Sequence, residues 1–237
     1  MPEADQIRRK GRLRTEDLAG WYLRLNGFLT MPNFIVHRDE GYGQRTEADI
    51  LAVRFPYREE VVCEFGDDGV ARESAMADDR IFVELTRKPC ILITEVKATT
   101  CSLNDRLIDP AEHNLERVLR VIGILPRDQI AAASAAVYRN GFVDYQEVYI
   151  GFCCVGERIN RHLGNPRLKC RYDPARVPQI TFEQISEFIY GRFDAFTNQK
   201  RYHHQWGCVG RLLWDLFYKA GTKDSYVNAI RAHLVPE

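Results

Sequence analysis

The sequence predicts a mixed α/β domain in which helices cover both faces of one central sheet. Its strongest strand signals are "ADILAVRF" at 48–55, "CILITEVK" at 90–97 and "YQEVYIGFCCVG" at 145–156. These runs are apolar on both faces over most of their length, which is typical of covered central strands. Amphipathic helical patterns stand before, between and after them. This alternation favours one sheet between two helical layers.

The first half of the chain is predicted to contain one helix and several strands. The helix is expected over "TEDLAGWYLRLNG" at 15–27, with Thr15 as N-cap and Gly27 at its end. Its apolar residues recur at helical spacing: Leu18, Trp21, Tyr22 and Leu25. "FLTMPNFIVHRD" then predicts a strand interrupted near Pro32. The long polar stretch from Pro56 to about Arg80 predicts a hairpin and loop inserted between two core strands.

The second half is predicted to be mainly helical. Helices are expected over "DPAEHNLERVLRVIGIL" at 109–125 and over the Ala-rich "RDQIAAASAAVYRNG", which closes at Gly141. A short strand, "PQI", precedes a helix that Thr181 and Gln184 begin with a capping box. Two more amphipathic helices are expected near 209–219 and 224–234.

Composition favours one domain rather than several. The 237 residues contain no internal repeat and no low-complexity linker. We therefore expect a single domain over 1–237, with a core at about 15–180 and a C-terminal helical extension at about 181–237. Lys and Arg together number 33, as do Asp and Glu, so net charge alone points to no charged partner.

Several classes of protein are disfavoured by what the sequence contains. The seven cysteines form no CxxC pair, which favours reduced thiols and a cytoplasmic location. The polar start does not read as a signal peptide, and no apolar run is long enough to span a membrane. A glycine-rich phosphate loop, a G-x-S-x-G turn and an H-E-x-x-H helix are all missing, which disfavours the commonest other α/β enzymes.

Charged residues inside the apolar strands are the main functional signal. Asp49 lies in one covered strand, and Glu95 and Lys97 share a face of the next. A buried charge must be paired, hydrogen-bonded or bound to metal. If the strands are neighbours, the two carboxylates converge, and Mg²⁺ or Mn²⁺ would relieve their repulsion. A solvated ion pair at a strand end is the alternative interpretation of Glu95 and Lys97.

With its context, this pattern resembles the PD-(D/E)xK nuclease superfamily, which has the restriction-endonuclease-like fold. The resemblance covers roughly 15–155 and depends on the initial helix, "EADILAVRF", "ILITEVK", the helix that follows and "EVYIGFCCV". It implies an αβββαβ core with a four-stranded mixed sheet. The chain departs from the family pattern in having Ala48 before the aspartate and a long interval from Asp49 to Glu95.

The resemblance also implies roles for individual residues. Asp49 and Glu95 would be the metal-binding carboxylates, the backbone carbonyl of Val96 would complete the shell of the ion, and Lys97 would be the catalytic lysine. Many members add a glutamate from the first helix, for which Glu16 is the candidate, although the helix dipole already explains an acid there. Glu47 shares the side of Asp49 and could assist.

The function that follows is a Mg²⁺- or Mn²⁺-dependent nuclease, with DNA as the expected substrate and a homodimer as one option. Basic residues expected to contact nucleic acid are Arg8, Arg9, Lys10, Arg12, Arg158, Arg161, Lys200 and Arg201. One alternative is a catalytically silent protein of the same fold that binds nucleic acid or protein. A third is an unrelated α/β enzyme. The choice between DNA and RNA stays open.

Overall fold

The structure is a computed structural model that describes residues 12–37, 44–57, 60–65, 70–75, 77–200 and 206–235. Its helices are α1 (Thr15–Leu25), α2 (Arg80–Val83), α3 (Asn114–Ile122), α4 (Ile130–Asn140), α5 (Phe182–Ala195), α6 (Thr197–Lys200), α7 (Cys208–Ala220) and α8 (Lys223–His233). Its strands are β1 (Leu13–Arg14), β2 (Leu29–His37), β3 (Gln44–Arg54), β4 (Val61–Phe65), β5 (Ala71–Ala75), β6 (Cys90–Val96), β7 (Phe142–Asp144), β8 (Tyr149–Gly156), β9 (Gly164–Asn165), β10 (Cys170–Arg171), β11 (Gln179–Thr181) and β12 (Leu234–Val235).

A mixed sheet lies at the centre of the fold, as predicted. Its strand order is β11-β8-β6-β3-β2, and β7 also pairs with β8. The β2–β3 and β3–β6 pairs are antiparallel, whereas β6–β8 and β8–β11 are parallel. The sheet therefore has six strands rather than the four expected, because the short strands β7 and β11 extend it beside β8.

Helices cover both faces of this sheet. Every residue of β6 and β8 is buried, because apolar side chains meet a helical layer on each side. On one face, α1, α5, α7 and α8 pack in one cluster with Ile50, Leu92 and Val155. On the other, α3 and α4 pack with Leu51 and Ile93. The helices predicted at the C-terminus thus share a core with the sheet.

No helix among the described residues combines the length and the apolar character that crossing a membrane would require.

The ends of the helices follow the predicted signals in most places. Gly27 and Gly141 lie just past α1 and α4 with φ of 81° and 82°, which suits glycine. The capping box at Thr181 is formed. The predicted N-cap at Thr15 is wrong by one residue, because α1 is preceded by Arg14, whose guanidinium pairs with Asp17 in the first turn at 2.8 Å.

The polar insertion between β3 and β6 contains the β4–β5 hairpin, as predicted. Its return to the core is fixed by two buried arginines. Arg192 donates to the carbonyl of Ala77 at 2.6 Å, and Arg54, only 4% exposed, pairs with Asp78. Buried guanidinium groups need such partners, so these contacts anchor the insertion to β3 and α5.

Asp79 also holds the insertion to the core, and its contribution to the stability of the fold can be tested. The buried hydroxyl of Tyr22 donates to Asp79 at 2.8 Å. Because a hydrogen bond to a charged group contributes about 1.5–3 kcal/mol, Tyr22→Phe should lower the free energy of unfolding by that amount in urea denaturation. Tyr218→Phe, at a side chain 79% exposed, is the matched control and should change it by less than about 0.5 kcal/mol. Equal effects of the two variants would contradict the anchoring role.

Candidate active site

The regular pairing of β3 with β6 ends just before Asp49. The last paired residues are Ile50 and Thr94, so the next position would set Asp49 opposite Glu95. At that point a side chain takes the place of backbone: Asp49 Oδ2 accepts from the Val96 amide at 2.7 Å. On the other side of β3, the β2–β3 register skips Asn33, which has φ of 52°. Asp49 therefore lies where the pairing of β3 with both neighbouring strands is interrupted. Its carboxylate is thus free to accept a hydrogen bond from β6.

The irregularity at Asn33 also corrects a prediction about β2. The strand was expected to break near Pro32, but it continues from Leu29 to His37. Pro32 stays in register with Ile50, and the left-handed residue after it absorbs the distortion. Asparagine tolerates that conformation better than most residues, so the strand bends without ending.

Glu95 is the most deeply buried acid of the site. Its side chain is 1% exposed, near the end of β6 and in parallel register with Cys154 of β8. Its Oε2 accepts from Lys97 at 2.7 Å. Its Oε1 is buried and has no hydrogen-bond partner among the described residues. A buried carboxylate oxygen without a partner is costly and indicates a missing ligand or proton.

Lys97 joins the two acids. It follows the last residue of β6, and its ammonium nitrogen lies 2.7 Å from Glu95 Oε2 and 3.5 Å from Asp49 Oδ2. The side chain is 32% exposed, so the cluster opens to solvent on this side. The structure thus brings together the three side chains that the sequence singled out.

The electrostatics of the cluster follow from burial and from these contacts. Burial raises the pKa of the Glu95 carboxyl to about 7, the Lys97 ammonium opposes part of the rise, and the charges of Asp49 and Glu47 add to it. Burial alone would lower the pKa of Lys97, but Glu95 and Asp49 outweigh it and the pKa is raised. Near neutral pH the lysine is therefore a cation, and Glu95 is the group of this cluster that can gain or lose a proton.

The donor set suits a hard cation only in part. Within the described residues, no group of three or more His, Cys, Asp or Glu side chains is placed to hold a metal ion. Two carboxylates and the buried, unpartnered Glu95 Oε1 are nevertheless the kind of ligands that Mg²⁺ accepts alongside water. Val96 contacts Asp49 through its amide, and the N–H and C=O of one strand residue face the same neighbouring strand, so its carbonyl also faces β3. These groups fit an ion that keeps several waters.

The additional carboxylates differ in where they lie. Glu16 is in the first turn of α1, where its Oε1 accepts from the Thr15 hydroxyl at 3.1 Å, and its catalytic role stays a prediction. Glu47 lies two residues before Asp49, and its charge acts on Glu95. The side-chain amide of Asn104 reaches the Glu47 carbonyl at 3.5 Å, which brings the loop after β6 beside this part of β3.

The basic residues expected to contact nucleic acid are scattered along the chain. Arg12 is exposed at the start of the described residues, and Arg158 and Arg161 are exposed after β8. Lys200 ends α6. The remaining four lie outside the described residues: Arg8, Arg9, Lys10 and Arg201.

One participant was missed by sequence reasoning. The resemblance implied a role only for the carbonyl of Val96, but the Val96 amide donates to Asp49 and holds it in place. Strand register decides which residue of β3 lies beside this amide, and a single sequence carries no direct signal for that register.

Searches against protein-family models, curated proteins and solved structures returned no match. The resemblance to the nuclease superfamily therefore depends on the residues themselves, namely Asp49, Glu95 and Lys97 and the order of the elements that carry them. Membership of that superfamily stays a prediction.

The raised pKa of Glu95 has a consequence for stability. The folded protein keeps this proton between pH 4.5 and about 7, a range in which the unfolded chain releases it, so this group makes folding less favourable as pH rises through that window. Glu95→Gln removes the effect. The free energy of unfolding of Glu95→Gln relative to wild type should therefore rise by about 2–3 kcal/mol between about pH 5 and pH 8, measured by urea denaturation.

Glu157→Gln is the matched control for this pH test. Glu157 is an exposed carboxylate just past β8, and water solvates it in both the folded and the unfolded chain. Its stability profile should run parallel to that of wild type. If Glu95→Gln also runs parallel, burial does not perturb Glu95 as inferred.

Proposed function

We propose that this protein is a divalent-metal-dependent nuclease that hydrolyses phosphodiester bonds, with DNA as the expected substrate. The observation that carries the proposal is the meeting of Asp49 and Glu95, from adjacent strands, at one ammonium group. Such a cluster at an interrupted ladder costs stability, because it buries a carboxylate that is only partly satisfied. Residues that cost stability in this way are characteristic of functional sites.

Each residue has a distinct part in the proposed reaction. Asp49, Glu95 and the Val96 carbonyl would hold Mg²⁺ or Mn²⁺. When bound, the ion would stabilise negative charge on the phosphate and make water more acidic. Lys97 stays protonated, because its pKa is raised, and is suited to orienting the attacking water and neutralising phosphate charge rather than to removing a proton.

In the proposed hydrolysis, one P–O bond forms and one breaks. The water oxygen forms a bond to phosphorus and loses a proton, and the ester P–O bond breaks. The released alkoxide takes a proton to become a hydroxyl group. Because Glu95 would be ionised as a ligand of the bound ion, the proton of the attacking water would pass to solvent.

The fold agrees with this proposal. Along the chain, α1 is followed by the core strands β2, β3 and β6, then by helices and by β8 parallel to β6. This order is similar to the helix, three strands, helix and strand that the resemblance implies, which supports the proposal. The larger sheet and the inserted β4–β5 hairpin are additions to it.

The main alternative is a catalytically silent protein of the same fold that binds nucleic acid or protein. One observation favours it: Lys97 already pairs with both carboxylates, so each of them has a cationic partner within the protein. The two functions differ in whether Lys97 is needed for hydrolysis.

Activity distinguishes these two functions directly. With Mn²⁺ or Mg²⁺, wild type should nick or degrade plasmid DNA, and chelator should stop it. Lys97→Ala should lower the rate by about 100-fold or more, because a cation at the reacting phosphate is lost. Lys219→Ala, at an exposed lysine ending α7, is the matched control and should keep the wild-type rate. Equal rates for wild type and Lys97→Ala on DNA and on RNA would contradict the nuclease proposal.

Metal binding supplies a second test that does not depend on turnover. Asp49→Asn keeps an acceptor for the Val96 amide but removes one charge, so Mn²⁺ affinity measured by calorimetry should fall by about 10-fold or more. Asp128→Asn, at an exposed aspartate before α4, should bind Mn²⁺ as wild type does. The metal assignment fails if both variants bind alike.

A further inference from the structure

Positive charge is concentrated in a short segment after β8, as it also is in the sequence at 8–14. Residues 158–172, "RINRHLGNPRLKCRY", contain five Arg or Lys residues and no Asp or Glu, although the whole chain has 33 of each kind. We call this segment the basic hairpin, because β9 and β10 pair antiparallel within it. A local excess of this kind produces a positive potential that net charge conceals.

The basic hairpin is held rigidly. Asn165 is fully buried, and its side-chain amide donates to the carbonyls of Ile108 and Tyr138 at 2.7 and 3.1 Å. Its Oδ1 accepts from the Arg167 amide at 3.0 Å, which closes the turn. The hydroxyl of Tyr172 also donates to Tyr138, at 3.0 Å. A surface held by buried hydrogen bonds presents its charges in fixed positions, which reduces the entropy lost on binding.

The basic hairpin begins near the end of β6 that leads into Lys97. Arg158 forms an isolated parallel bridge with Thr100, three residues past Lys97. The Arg158 amide donates to the Thr99 carbonyl at 2.9 Å, and the Cys101 amide donates to the Arg158 carbonyl at 2.8 Å. The segment is thus joined by backbone to the strand end of the candidate active site.

A cavity of about 400 Å³ lies between the basic hairpin and the loop that follows β6. His162, Lys169 and Arg171 line it on the hairpin side, and Ser102 and Asp105 on the loop side. The Ser102 carbonyl is 3.6 Å from the thiol of Cys154, which is the register partner of Glu95. Ser102 and Cys154 thus connect the lining of the cavity to the strand position beside Glu95, and the volume of the cavity suits a single nucleotide unit.

Most of the cations of the hairpin are available to a partner. Arg167 lies 3.4 Å from Asp109. The other four, Arg158, Arg161, Lys169 and Arg171, are exposed and form no ion pair with another described residue. Exposed cations beside a cavity of this size fit a chain of phosphates better than a single small anion.

We propose that the basic hairpin binds the phosphate backbone of a nucleic acid and directs one nucleotide into the adjoining cavity. The choice of nucleic acid as ligand rests on the proposed function. The assignment of the hairpin as a binding surface depends on its charge, its anchoring and its location.

The test measures binding without hydrolysis. A fluorescent DNA duplex is titrated in chelator, by anisotropy, with wild type and with the triple variant Arg161→Gln, Lys169→Gln and Arg171→Gln. The Kd of the triple variant should rise about 10-fold or more near 100 mM salt, and its log–log salt slope should fall by about 2–3, because up to three phosphate contacts are lost. Thermal melting checks that the variant is folded.

The matched control removes three exposed cations of the opposite helical layer, on α1 and α7, by Arg24→Gln, Arg211→Gln and Lys219→Gln. It has the same change in net charge and should shift the Kd by less than about 3-fold. Equal shifts for the two triple variants, or no duplex binding by wild type, would overturn the hairpin proposal. Binding of wild type to phosphatidylserine vesicles but not to DNA would also overturn it.

The hairpin proposal and the nuclease proposal can fail independently of each other. If wild type hydrolyses DNA in a Lys97-dependent manner and the hairpin variant binds like wild type, the hairpin proposal alone fails. If binding depends on the hairpin but no substrate is hydrolysed with Mn²⁺ or Mg²⁺, the nuclease proposal alone fails.

Discussion

The contact of one ammonium group with two carboxylates at the end of β6 is the interaction on which the functional interpretation depends. Lys97 lies 2.7 Å from Glu95 and 3.5 Å from Asp49, and Glu95 is almost wholly buried. Burying a carboxylate in a sheet is costly even when it is paired. An apolar residue at position 95 would fit the other residues of this strand, so stability alone gives no reason for an acid there.

The surrounding architecture makes this contact possible. The β3–β6 ladder stops at Ile50 and Thr94, and Asp49 then accepts from the Val96 amide in place of a backbone carbonyl. On the far side, Asn33 interrupts the β2–β3 register opposite Asp49. The two local breaks beside Asp49 thus leave its carboxylate free to accept from β6, at the end of the strands where the basic hairpin is also attached.

Much of this arrangement could be predicted from the sequence, for identifiable reasons. Asp49, Glu95 and Lys97 stand out because charged residues interrupt apolar runs, and strand alternation fixes Glu95 and Lys97 on one face. The central sheet and its covering helices follow from periodicity, the mixed strand directions from the resemblance, and the insertion from the long polar interval between Asp49 and Glu95. By contrast, the role of the Val96 amide and the attachment of Arg158 beside Thr100 depend on strand register and on long-range backbone contacts. The short strands β7 and β11 carry too few residues for a periodic signal.

We propose that Asp49 and Glu95 share one divalent cation. Anomalous diffraction from crystals grown with Mn²⁺ would locate that ion. We expect a peak within direct coordination distance, about 2.1 Å, of one oxygen from each carboxylate, with the Lys97 ammonium displaced from at least one of them. A structure in which Mn²⁺ binds elsewhere, while Lys97 stays bound to both carboxylates, would contradict it.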